Sequence, residues 1–120
     1  MPDIRTHSDL VPAARMEGDA LVVAIHGEID LHNSPNLRTE LLDLLNKQNP
    51  ARLILNLAQV PYMDSSAIAV LVEALKKVHK AGGTVALTNL QPRVKSLLEI
   101  ARLGSIFQLC KDEAEALAKK

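Results

Sequence analysis

Aromatic side chains are almost missing from this chain of 120 residues: Tyr62 and Phe107 are the only ones, and there is no tryptophan. A surface that stacks nucleic-acid bases or sugar rings needs several such faces, so base-stacking functions are disfavoured and the core has to be aliphatic. Cysteine occurs once, at Cys110, which excludes an internal disulfide framework. Neither sign of charge is in excess, with 14 basic residues against 14 acidic ones. A nucleic-acid binder would carry a basic surplus to displace phosphate counterions, so direct nucleic-acid binding is not expected. Apolar runs stay well short of the ~18 residues of a membrane span. The N-terminus MPDIRTHSDL has no basic start followed by an apolar stretch, so no signal peptide is expected. A cytoplasmic protein in a reducing compartment is the simplest expectation.

Aliphatic residues are plentiful. Leu, Ile and Val supply 36 residues, well above the level of about 20% below which chains fail to build a core. The length suits one domain, and no repeat, linker or internal boundary is visible, so residues 1–120 are taken as a single unit.

Residues 1–12 have the weakest pattern and suggest a loose arm or a short edge strand. A strand is expected over 20–30 (ALVVAIHGEID), reached by a hairpin at Gly18-Asp19 from a strand over 13–17. A helix follows in NSPNLRTELLDLLNK, with Ser34 as its cap, Pro35 at its first position and Leu37, Leu41, Leu44 and Leu45 at helical spacing. Residues 52–57 (RLILNL) suit a buried parallel strand. A helix over 65–80 should bury Ile68, Leu71, Val72 and Leu75 and stop at Gly82-Gly83. Then come a strand over 84–89, a helix opened near Pro92 and closed at Gly104, and a strand over 105–110. A terminal helix begins with the capping pattern of Asp112 and Glu115. The order ββαβαβαβα implies an α/β fold with a mixed, mostly parallel sheet of about four to five strands and about four helices.

In such sheets, function gathers where strands end and helices begin. Asp30 closes one strand, and Met63-Asp64-Ser65-Ser66 opens the helix after the next, so the two can lie side by side. One hydroxyl suffices to cap a helix, yet two serines stand here. Asp64 or Ser65 can act as the cap, leaving Ser66 an ordinary first-turn residue. Alternatively, Ser66 accepts a phosphoryl group, whose charge would meet free backbone N–H groups and the positive end of the helix dipole. Small neighbours, Ala67 and Ala69, would let a partner come close.

Other chemistry finds little support. Glu28 and Asp30 are two apart and TVALTN holds no lysine, unlike the acidic pocket of a response-regulator receiver. The serines lack the G-x-S-x-G turn of α/β-hydrolases. His7, His26, His32 and His79 have no metal-ligand spacing. Lys76, Lys77 and Lys80 form a basic last turn that the helix dipole explains. No glycine-rich phosphate loop occurs. Enzymatic activity, a metal and a cofactor are therefore not expected.

The blocks GEID (27–30), LNLAQVPYMDSSAIAVL (55–71) and AGGTVALTNLQPRVKSLLEIARLGSIFQL (81–109) resemble the STAS domain family, and within it the stand-alone bacterial anti-sigma factor antagonists. The resemblance runs from about Ala20 to Leu109 and implies a small mixed sheet with helices. It also implies that Ser66 is phosphorylated by a partner, a GHKL-type serine-kinase anti-sigma factor. That partner would be bound while Ser66 is free and released on phosphorylation, with a serine phosphatase restoring the first state. Asp30, Tyr62, Met63, Asp64, Ser65 and Ala67 would surround the phosphorylation site, with Ser65 serving the helix. Ala67 stands where the family usually has glycine, which adds a methyl beside the acceptor. The family also includes constitutive subunits of scaffold or membrane-transport complexes and switches in other kinase pathways such as secretion or biofilm control.

Overall fold

The computed structural model describes residues 3–6 and 8–119. His7 lies outside the described residues. The elements are β1 (Asp3–Ile4), β2 (Ala13–Glu17), β3 (Ala20–His26), α1 (Ser34–Gln48), β4 (Arg52–Gln59), α2 (Ser65–Lys80), β5 (Thr84–Thr88), α3 (Pro92–Ile100), β6 (Gln108–Cys110) and α4 (Glu113–Ala118). The strands lie in one sheet in chain order, β1-β2-β3-β4-β5-β6. The pairings β1–β2 and β2–β3 are antiparallel, and the three that follow are parallel. The expected α/β class and element order are found. Among the described residues the sheet carries six strands, because part of the N-terminal segment pairs as a short edge.

Alternation along the strands sorts the side chains into two unequal cores. Leu21, Val23 and Ile25 of β3, Leu53, Leu55 and Leu57 of β4, and Val85 and Leu87 of β5 face α1, α2 and α3. The opposite face is made of smaller groups, among them Ala20, Val22, Ala86 and Cys110, and it packs against Ala116 of α4. Successive right-handed crossovers, each moving over by one strand, put their helices on the same side of the sheet. That leaves the six-residue α4 to cover the back.

Several boundaries differ from the sequence expectation. Strand β3 stops at His26 because Gly27 takes a positive φ of 93°, and Ile29 rejoins the sheet only through a single parallel bridge to Met63. The cap of α1 is Asn33, not Ser34; Ser34 is the first helical residue, is buried, and gives its N–H to the Asp30 carbonyl at 2.8 Å, while Pro35 is second. The buried stripe of α2 is Ala67, Val70, Leu71, Ala74, Leu75 and Val78. Ile68 and Val72 sit half-buried at its margins. Two alanines centre the stripe because they let the helix approach its neighbours, whereas a search for bulky residues rotates the stripe by most of one residue. Helix α3 ends at Ile100 rather than Gly104: Arg102 takes the left-handed conformation, and the Leu103 N–H returns to the Leu98 carbonyl at 3.0 Å. Residues 105–107 are turn, and β6 keeps only Gln108–Cys110. At Gly83 a Cβ would fall 2.3 Å from the Ala51 carbonyl oxygen, so only glycine lets the chain pass into β5.

Candidate functional site

Past Gly27, the segment leading into α1 is stitched to the segment leading into α2. The Ile29 N–H donates to the Tyr62 carbonyl at 3.0 Å, and the Asp64 N–H donates to the Ile29 carbonyl at 3.1 Å. Ile29 and Met63 are buried beneath this bridge. The two helix starts, with Asp30 and Asp64, are thereby set beside each other at the C-terminal ends of β3 and β4.

The two aspartates do different work. The Asp30 carboxylate is exposed and bound within its own turn, accepting from the His32 N–H at 2.9 Å. Its carbonyl takes the N–H groups of Asn33 and Ser34, while Asn33 Nδ2 donates to the Glu28 carbonyl. Asp64 instead caps α2. Its Oδ1 accepts from the Ser66 N–H at 2.9 Å, the Ala67 N–H at 3.3 Å and the Ser66 hydroxyl at 2.5 Å. Its Oδ2 accepts from the Leu31 N–H at 3.1 Å. The Ser66 hydroxyl, aided by these backbone donors and against some desolvation, holds the Asp64 carboxyl below the usual range for an aspartate.

The expectation that Ser65 serves the helix is thus corrected. Asp64 is the cap, since its carboxylate reaches the N–H groups two and three residues on. Ser65 is the exposed first residue of α2. Ser66 is second, half-buried, with its hydroxyl held by Asp64. Ala67 is fully buried. Its methyl therefore faces the core, not an approaching partner, and of the two small residues expected to admit a partner only Ala69 is exposed.

Beside this helix start runs a groove of about 490 Å³. Tyr62, Met63, Asp64 and Ser65 form one bank, and Pro92, Arg93, Ser96, Leu97 and Ile100 of α3 form the other. The Arg93 guanidinium lies 4.7 Å above the centre of the Tyr62 ring, a cation–π contact across the groove. Two large aliphatic side chains stand out into solvent nearby in the chain's site segments: Leu31 is 75% exposed and Ile100 is 79% exposed. Reading the sequence missed Leu31, Arg93, Leu97 and Ile100. A usable signal was present for Ile100, which falls off the buried stripe of Val94 and Leu98. Among the described residues, no helix is long and apolar enough to cross a membrane.

Comparison with known proteins identifies the family and the fold. Residues 11–116 match the sequence model of the STAS domain. The anti-sigma-B factor antagonist of Bacillus subtilis is 38% identical over 87 residues, covering 72% of this chain and 78% of that protein. The anti-sigma F factor antagonist of Paenibacillus polymyxa is 28% identical over 99 residues, covering 82% of this chain and 85% of its own length. The structure of the anti-sigma factor antagonist SpoIIAA in its unphosphorylated form superposes with a TM-score of 0.74 at 22% identity, covering 87% of this chain and 90% of that one. That last likeness is one of fold.

Proposed function

The chain belongs to the STAS domain family, and from that footing we propose that it is an anti-sigma factor antagonist switched by phosphorylation of Ser66. With Ser66 unmodified, it binds a serine-kinase anti-sigma factor of the GHKL type and so frees a sigma factor. The kinase brings ATP to the complex. The Ser66 oxygen bonds to the γ-phosphorus, the bond from that phosphorus to the bridging oxygen of ADP breaks, and the hydroxyl proton passes to a base on the kinase. The chain is itself no enzyme in this reading: Ser66 is a substrate, and a serine phosphatase of the cytoplasm hydrolyses the ester to restore it.

The observation that carries this reading is the Ser66 hydroxyl at the start of α2, clasped by Asp64, which with Ser65 lines an apolar groove. A partner that covers Tyr62, Leu97 and Ile100 excludes water from the helix start. A free hydroxyl is cheap to enclose there. A phosphoryl group of about −1.5 to −2 charges is not, because an unpaired charge at a closed contact costs several kcal/mol. Each ~1.4 kcal/mol is tenfold in affinity, so one ester is enough to dissolve the complex.

Incubation with the kinase and ATP, followed by mass-spectrometric mapping, tests the acceptor: label belongs on Ser66 and vanishes in Ser66→Ala. Titration calorimetry tests the switch, with Ser66→Ala binding as wild type and Ser66→Asp at least tenfold weaker. Label on Ser65 that persists in Ser66→Ala would refute the acceptor. Undiminished binding by the phosphoprotein would favour a constitutive subunit of a larger complex.

A further inference from the structure

The Asp64 carboxylate joins two places that are far apart in the chain. On Oδ1 it holds the Ser66 hydroxyl and two backbone N–H groups of α2. On Oδ2 it holds the N–H of Leu31, across 33 residues. The turn that carries Leu31 is otherwise tied to itself: the Asp30 N–H goes to Asn33 Oδ1, the His32 N–H to Asp30 Oδ1, and the N–H groups of Asn33 and Ser34 to the Asp30 carbonyl. From residue 30 to residue 34, the Leu31 N–H alone reaches the cap of α2. The side chain it positions is one of the most exposed large aliphatic groups among the described residues.

Resting on the reading that Ser66 is phosphorylated, we propose that Asp64 relays the state of Ser66 to Leu31. While Ser66 is free, its hydroxyl donates to Oδ1, and the carboxylate is fixed with Oδ2 toward the Leu31 N–H. Esterification removes that donor. It also places a dianion on an oxygen that sat 2.5 Å from a carboxylate oxygen. The charged phosphoryl oxygens, carried on phosphorus beyond that ester oxygen, repel the nearby carboxylate, and a phosphoryl group suits the backbone N–H groups of a helix start. The phosphoryl oxygens take the N–H groups of Ser66 and Ala67, Asp64 turns away, and the Leu31 N–H loses its acceptor. The turn at 30–33 loosens, and Leu31 is no longer held beside the start of α2. The switch then acts twice, by charge at Ser66 and by withdrawal of an aliphatic anchor at Leu31.

The test needs no kinase. Phosphoserine is built into position 66 by nonsense-codon suppression, and Asp64→Asn is made as a separate variant. Asparagine keeps a carbonyl for the helix cap but has no second oxygen for Leu31. Exchange of backbone amides with water is then measured by NMR. The expected result is at least a fivefold faster exchange of the Leu31 amide in both proteins, with the Ile29 amide, bonded to the Tyr62 carbonyl, unchanged. A phosphoserine protein whose Leu31 amide keeps its shift and exchange rate overturns the relay, whether or not Asp64→Asn folds. Faster Leu31 exchange on phosphoserine, in a protein that no kinase labels at Ser66, would sustain the relay and sink the kinase reading.

Discussion

Ser65 and Ser66 share a side chain and differ in everything around it. Ser65 is exposed on the groove, and its neighbour Asp64 caps the helix in its place. Ser65→Ala should therefore change stability by no more than about 0.5 kcal/mol, as for other surface sites, and chemical denaturation of the two proteins would check this. Asp64→Ala should lower the melting temperature clearly more, because three backbone donors lose their acceptor. The pH dependence of that difference follows from the depressed carboxyl, whose main cause is the Ser66 hydroxyl. A group depressed in the folded state stabilises fully above its unfolded value, about 3.9 for aspartate, and the gain is lost as pH falls through the lower folded value. The gap in melting temperature between wild type and Asp64→Ala should accordingly be widest near neutrality and shrink below about pH 4. A gap unchanged down to pH 2 would mean that the ionised cap contributes nothing. The block MDSS was legible as a site from sequence because serine and aspartate are both strong caps, and for the same reason it could not say which of them caps.

Periodicity at the scale of the element was read more easily than packing. All four helices and the alternation of strand with helix follow from apolar spacing, and the capping pattern of Asp112 and Glu115 is present in α4, with Asp112 accepting the Glu115 N–H at 2.9 Å. The buried face of α2 was displaced because Ala67 and Ala74 contribute close approach, which no hydrophobicity scale records. Element ends differ from the expectation where a backbone angle decides them, as at Gly27 after β3 and Arg102 after α3. These points give a graded prediction along α2. Leu71 is buried in the main core, so Leu71→Ala should cost about 2–5 kcal/mol. Lys77→Ala, on the exposed face, should stay within about 0.5 kcal/mol. Val72→Ala should fall between them, and a cost equal to that of Leu71→Ala would restore the face expected from sequence.

The back of the sheet depends on one short helix, and a helix of six residues does not hold itself in water. Its position is secured at both ends by side chains from the strands. At the start of α4, Glu113 accepts from Arg15 at 2.9 Å and from Asn56 at 2.7 Å. Burial pushes the Glu113 carboxyl upward, yet the hydrogen bonds from Asn56 and Arg15, together with the Arg15 charge, leave the group below its ordinary value. At the far end, the Arg52 guanidinium donates to the carbonyls of Leu117 at 3.0 Å and Lys119 at 2.6 Å, while Asp19 orients it from the other side at 3.0 Å. Arg52 thus does for α4 what basic residues do at helix C-termini, although it comes from 64 or more residues earlier in the chain. Nothing in RLILNL announces that role, since a strand pattern speaks for its apolar members only. Beneath α4 lies Cys110, 6% exposed, its thiol pushed to a higher pKa by burial. The cysteine is therefore a reporter on whether α4 is seated. In Arg52→Ala the last turn loses its donor, α4 should lift more often, and the rate of thiol modification by a disulfide reagent should rise at least tenfold. Ser66→Asp, in α2 on the opposite face of the sheet, should leave that rate unchanged. Equal modification rates in wild type and Arg52→Ala would show that packing of Ala116 against the sheet holds the helix without Arg52.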